Sequence, residues 1–128
     1  MTRTHILILS AIALIAAAGP LLADDLYPVS GRWTYNDASA RGPSPDCRKP
    51  TMEFRGVQRF DTSGGVSLFR NKRIIQESTT GTLYRVTDQF FNVMIRGIVT
   101  YRLRIRDEDH IEIDYDLTGR NVLLRRCA

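Results

Sequence analysis

Apolar and polar residues alternate by twos along most of the chain after residue 50, and the clearest stretch is Ile98 to Arg106. There Val99, Tyr101, Leu103 and Ile105 fall on one face, and Thr100, Arg102, Arg104 and Arg106 on the other. His110 to Leu117 repeats the pattern, with Ile111, Ile113, Tyr115 and Leu117 inward and Glu112, Asp114 and Asp116 outward. Alternation of this length marks a strand with one face buried. The acidic Asp107-Glu108-Asp109 between the two stretches predicts a three-residue hairpin loop. Keeping like faces together pairs Ile105 with Ile111 and Leu103 with Ile113. That register sets Arg104 opposite Glu112 and Arg102 opposite Asp114.

Similar patterning predicts strands over Gly31–Tyr35, Thr51–Phe60, Val66–Glu77, Thr82–Asp88, Phe90–Ile95 and Asn121–Cys127. Ser63-Gly64-Gly65, Thr80-Gly81 and Thr118-Gly119-Arg120-Asn121 supply the turns, and Asn36 to Pro50, with Pro43, Pro45 and Pro50, reads as one long loop. No stretch holds helical periodicity beyond two turns. The expected fold is all-β: a small antiparallel meander barrel of seven or eight strands, since closure removes the exposed sheet edges.

The first residues follow a different rule. Arg3 precedes a run of 13 apolar-patterned residues, Ile6 to Ala18, followed by Gly19-Pro20 and a small residue at Ala23. This order is that of a secretory signal, read over residues 1–23, with a single barrel domain over 24–128. At about 1.5 Å per residue the run is too short to cross a hydrocarbon core of roughly 30 Å, so no transmembrane span is expected once the signal is removed. Removal takes away one cation and no acid, so the formal charge falls from +4 to +3. Interleaved charges of this kind argue against a nucleic-acid partner and permit weak attraction to anionic polymers or lipid head groups. A periplasmic or secreted location follows, and a chain of this length closes one core.

Cys47 and Cys127 are the only cysteines, 80 positions apart. In an oxidising compartment the pair reads as one structural disulfide, because a redox pair calls for close spacing and an activating base.

Gly31-Arg32-Trp33 opens the first strand and Arg125-Arg126 lies in the last. This resembles the calycin signature shared by lipocalins, a Gly-x-Trp on strand one whose indole is covered by an arginine from the final strand. The resemblance implies a barrel plug made by Gly31, Trp33 and Arg125 or Arg126, with a cation-π contact of roughly 0.5 to 2 kcal/mol. In size and export signal the chain is similar to the bacterial periplasmic metalloprotease inhibitors of the same barrel type. An inhibitor of that kind would use Asp24 to Ser30 or the Asn36 to Pro50 loop as its inserted element.

Catalytic chemistry finds little to rest on. His110 is the only histidine after the signal, placed beside a hairpin tip opposite Arg106, so neither a multi-histidine metal site nor a Ser-His-Asp triad can form in one chain. Glu112, Asp114 and Asp116 share a strand face at about 7 Å spacing, the arrangement of a hard-cation site, but Arg102, Arg104 and Arg125 stand as cross-strand partners and favour a charge ladder. Asp61-Thr62-Ser63-Gly64 resembles the Asp-Thr-Gly turn of retroviral-type aspartic proteases, with Ser63 where that turn has glycine; the competing reading has Asp61 opening the turn into Gly64-Gly65. Arg70, Lys72, Arg73, Arg96, Arg102, Arg104 and Arg106 are read as a solvated mixed-charge face. Phe90-Phe91 puts one ring on each side of its strand, so an exposed phenylalanine beside Met94 is expected to form the binding surface.

The expectation is therefore a monomeric, non-enzymatic binding module without metal or cofactor. Its partner is a protein on the barrel rim or a small apolar ligand in the mouth. A barrel of about eight strands encloses little more than its own side chains, which favours the rim.

Overall fold

A computed structural model describes residues 25–35, 47, 48 and 50–127, the side chain of Asn92 excepted. The signal read over 1–23 and most of the Asn36 to Pro50 loop lie outside the described residues. Eight strands follow one another: β1 Gly31–Tyr35, β2 Thr51–Arg55, β3 Gln58–Asp61, β4 Leu68–Gln76, β5 Leu83–Asn92, β6 Ile95–Ile105, β7 His110–Tyr115 and β8 Arg120–Arg126. Each pairs antiparallel with the next, and β8 returns to β1, so the sheet closes into a meander barrel compatible with a calycin-like architecture. No helix among the described residues is long and apolar enough to cross a membrane.

The β6–β7 register is the one the alternation predicts, with Leu103 opposite Ile113, Ile105 opposite Ile111, Arg104 opposite Glu112 and Arg102 opposite Asp114. Hydrophobic side chains from every direction meet inside: Trp33, Met52, Phe54, Val86, Tyr101, Leu103, Ile111, Ile113 and Leu124 are all buried. Their removal from water is the main favourable contribution to a fold of this size.

The strand boundaries depart from the sequence reading in four places. The stretch Thr51–Phe60 is two strands, broken at Gly56, whose φ of +60° is a left-handed conformation that a side chain disfavours. Thr82–Asp88 and the first half of Phe90–Ile95 form one strand, β5, which runs to Asn92; the chain reverses at Val93-Met94, and Ile95 opens β6. On β4 the register slips between Asn71 and Arg73, a bulge that absorbs one residue. Without it Arg73 would follow Asn71 inward; with it Ile74 turns toward the core and Lys72 and Arg73 stay outside. Leu117, expected inward, lies past the end of β7 and is 93% exposed.

One end of the barrel is closed by the chain leading into β1. Tyr27 donates its backbone N–H to Gly56 O and packs edge-on against Phe54, with ring centroids 5.0 Å apart. The Trp33 indole donates to Ser30 O at 3.1 Å, and Arg126, not Arg125, covers its ring at 4.3 Å from the centroid. Arg125 sits across from His110, so it is not the cross-strand neighbour of Glu112, Asp114 or Asp116 that the alternation suggested. Gly31 has a φ of +88°, and a Cβ there would lie 3.5 Å from Arg126 Nη1. Arg126 also donates to the carbonyls of Glu108 and Ser30, so it ties the plug to two loops. Arg126→Ala is expected to lower stability by about 0.5 to 2 kcal/mol, read as a lower midpoint of urea unfolding, and an unchanged midpoint would remove the plug from the account of stability.

Cys47 and Cys127 form the disulfide, with Cα atoms 6.0 Å apart. The backbone N–H of Cys127 donates to Arg32 O at 2.8 Å, so the bridge lies beside the seam between β1 and β8.

Candidate functional site

The barrel interior is not uniformly apolar. Arg59 on β3 and Asp88 on β5 point inward, with Nε 2.8 Å from Oδ2 and neither side chain exposed. Asp88 accepts three further hydrogen bonds, from Tyr27 Oη at 2.8 Å, Tyr101 Oη at 2.8 Å and Asn71 Nδ2 at 3.1 Å. The guanidinium of Arg59 stacks on Phe69, 3.8 Å from its ring centroid, and lies 5.1 Å from that of Tyr101. Taking a charge pair out of water is costly unless its remaining polar atoms are satisfied. Here four donors converge on one carboxylate and two rings cover the cation.

The environment fixes the protonation states of the donors. Burial, with the Asp88 charge added to it, pushes the Tyr27 and Tyr101 hydroxyls far above the usual tyrosine range, so both remain neutral donors. Burial by itself would favour a neutral Arg59, but the charge and hydrogen bond of Asp88 outweigh it and keep the guanidinium charged. Two buried polar atoms of this layer, Arg59 Nη2 and Asn71 Oδ1, have no hydrogen-bond partner among the described residues.

Above this layer, at the end opposite Tyr27, the barrel is open among the described residues. A cavity of about 410 Å³ lies there, walled by apolar side chains that include Val66, Phe69, Phe90, Val99, Tyr115 and Val122. Its volume falls within the span of small-molecule sites, roughly 300 to 1,000 Å³. The middle of the barrel is thus filled, as its strand number implies, but the filling stops short of one mouth. Phe69 is shared: one face of the ring meets Arg59, and the side chain also lines the cavity.

One wall is polar. Asp61 accepts hydrogen bonds from Tyr35 Oη at 2.7 Å, Ser63 Oγ at 2.7 Å and the Ser63 backbone N–H at 2.9 Å. Arg59 Nη1 approaches the same carboxylate at 3.7 Å. Burial raises the Tyr35 hydroxyl above its usual range, which keeps it a donor. Asp61 therefore opens the turn into Gly64 and Gly65, both at positive φ, and its oxygens are engaged by the barrel itself. Arg120 lines the cavity as well, at the start of β8.

Phe90 and Phe91 point to opposite sides as strand geometry requires. Phe90 lines the cavity and packs edge-on against Phe69, with ring centroids 5.8 Å apart. It lies across from Gly97, where a Cβ would come 2.1 Å from Phe90 Cζ, so the ring occupies the space a side chain would take. Phe91 is 57% and Met94 92% exposed, on the outer side and the tip of the β5–β6 hairpin. The three residues read as one binding surface are thus divided between the cavity wall and the rim.

The acidic stripe forms a charge ladder on the outer wall. Glu112 is engaged by Arg106 and by Asn121, and these contacts, the Asn121 hydrogen bond foremost, hold its carboxyl below the usual range. Arg102 bridges Glu77 at 3.1 Å and Asp116 at 3.8 Å. Among the described residues no three His, Cys, Asp or Glu side chains gather as metal ligands. His110 sits at the far hairpin, with Nδ1 2.8 Å from Asp107 Oδ1 and its backbone carbonyl accepting from Arg106 N–H.

Arg59, Asp88 and Asn71, the centre of the polar layer, carry no sequence signal as functional residues. A charged residue on an alternating strand reads as outward-facing, and nothing local marks these as the exception.

Protein-family models, curated proteins and solved structures were all compared with the chain, and none matches it.

Proposed function

We propose that this protein is an exported, non-enzymatic binding module that takes a small, mainly apolar ligand into the open end of its barrel. The observation that carries the reading is the 410 Å³ cavity, apolar on most of its wall, whose lining Phe69 rests on Arg59 of the polar layer. Burying an apolar ligand there is favourable in proportion to the area removed from water, about 25 cal/mol per Å². The Tyr35–Asp61–Ser63 wall and Arg120 supply a polar edge that orients a ligand carrying one polar group. The Cys47–Cys127 pair is compatible with an oxidising, exported location, periplasmic or secreted.

The inhibitor reading draws less support. Of its two candidate inserted elements, the Asn36 to Pro50 loop lies almost wholly outside the described residues. The other, Asp25 to Ser30 in its described part, is spent on the barrel: Tyr27 is buried, and Asp25 Oδ2 accepts the Ile74 backbone N–H at 2.9 Å. The lipocalin-like signature supports the carrier reading by analogy, through the Gly31, Trp33 and Arg126 contact at the closed end.

The test is titration with a fluorescent apolar probe, N-phenyl-1-naphthylamine, against the native protein and Val122→Trp, whose larger side chain fills the cavity. Saturable binding in the native protein is expected, weakened at least about tenfold by the substitution, since a probe excluded from the mouth loses its buried area. Binding that is absent, or indifferent to the substitution in a folded variant, would sink the carrier reading.

A further inference from the structure

The rim of the open end is dressed differently from the rest of the molecule. Val93 and Met94, at the tip of the β5–β6 hairpin, are 98% and 92% exposed, and Leu117, on the β7–β8 turn at the same end, is 93% exposed. Behind the hairpin tip Phe91 and Ile98 stand on the outer wall at 57% and 68% exposure. These are apolar prongs on two separate turns; Leu117 also borders the mouth of the cavity, whereas Val93 and Met94 stand clear of it. Water gains nothing from their exposure, and the barrel core does not need them.

Cations stand on the wall that carries the hairpin: Arg96 at the start of β6 and Arg70 near the start of β4 are exposed toward the open end. Arg102 and Arg106, farther toward the closed end, are paired with Glu77, Asp116 and Glu112. Arg96 lies over Phe91, 5.4 Å from its ring centroid, so a cation sits directly behind the prongs. The acids Asp107, Glu108, Asp109 and Glu77 belong to turns at the opposite, closed end. Of the described acids at the open end, Asp116 is bridged by Arg102 and Asp61 is buried in its hydrogen bonds.

We infer that the open end docks on an anionic lipid surface, with Val93, Met94 and Leu117 inserted at the level of the head groups and Arg96 and Arg70 behind them facing lipid phosphates. Apolar tips on a cationic wall are the arrangement that suits an interface with a greasy interior and a negative surface. The surface needs no occupied cavity, so it stands or falls separately from ligand uptake.

The experiment places a reporter on the prong. Met94→Trp, in the protein recovered from an oxidising export host, is mixed with vesicles of phosphatidylcholine alone or with added phosphatidylglycerol. Trp33 is buried in the barrel and contributes a constant background. On anionic vesicles the emission is expected to shift to the blue and to be quenched by brominated acyl chains, and to revert on raising salt. Val93→Asp together with Met94→Asp, at sites so exposed that the fold is indifferent to them, should weaken vesicle partitioning at least about tenfold, given the area two such side chains bury. A reporter that stays in water on anionic vesicles overturns the inference. So does a blue shift without lipid quenching that grows with protein concentration, which would assign the prongs to contact with another protein.

Discussion

Replacing Asp88 by alanine is expected to lower the stability of the barrel by about 3 to 5 kcal/mol, the cost of leaving a buried cation without its partner. Asp88 takes four hydrogen bonds, from Arg59, Tyr27, Tyr101 and Asn71, so its loss strands four donors at once. Among the described residues Asp61, 3.7 Å from Arg59 Nη1, is what remains to balance the guanidinium. Against a total stability of about 5 to 15 kcal/mol for a domain, this is a large share, and the variant should unfold at far lower urea than the native protein. The double change Arg59→Met with Asp88→Leu removes both charges and should recover a good part of the loss, although the hydroxyls of Tyr27 and Tyr101 still lose their acceptor. A single-variant loss below about 1 kcal/mol would show that water reaches the layer and solvates Arg59. Because Phe69 joins this layer to the cavity, the double variant also reports on the site: probe affinity should fall if the layer is the floor that holds Phe69 in place.

Breaking the disulfide should have an effect of similar size by a different route. Cys47 and Cys127 close a loop across 80 positions, and in the chain-entropy account that constraint on the unfolded chain is worth about 4 to 5 kcal/mol. Cys47→Ala with Cys127→Ala, or reduction of the native protein, should lower the urea midpoint by a corresponding amount. The folded barrel should be little changed, since Cys127 N–H to Arg32 O and the β1–β8 ladder hold that seam independently. An intact midpoint in reductant would mean that the unfolded chain is already compact around this loop, leaving the bridge little entropy to remove.

The two results together separate two sources of stability. The disulfide acts on the unfolded ensemble, whereas the Asp88 layer acts on the native core, so the losses should add when both are broken. That additivity has a functional side. The layer packs against Phe69, which lines the mouth, and the bridge lies beside the seam of the barrel whose open end is the candidate site.

Alternation along the chain determined the all-β class, the inward face of β6 and β7, and their register, because a period of two leaves one way to bury Leu103, Ile105, Ile111 and Ile113 together. It also placed Phe90 and Phe91 on opposite sides, and the lone cysteine pair named its own bridge. Tertiary structure decided what local pattern leaves undetermined. On β3, hydrophobicity favours Phe60 as the inward residue, yet Arg59 and Asp61 are buried and Phe60 lies half-buried under Arg55 on the outer wall. A strand's parity is a collective choice: Arg59 can face inward only because Asp88, 29 positions away, Phe69 and Tyr101 meet it there. The bulge at Asn71–Arg73 is of the same kind, a shift of parity that pays off only once β5 is alongside. The mouth is the furthest from local information. Its wall draws on β1, β3, β4, β5, β6, β7 and β8, and no stretch of sequence records how far the side chains of seven strands fall short of filling the space between them.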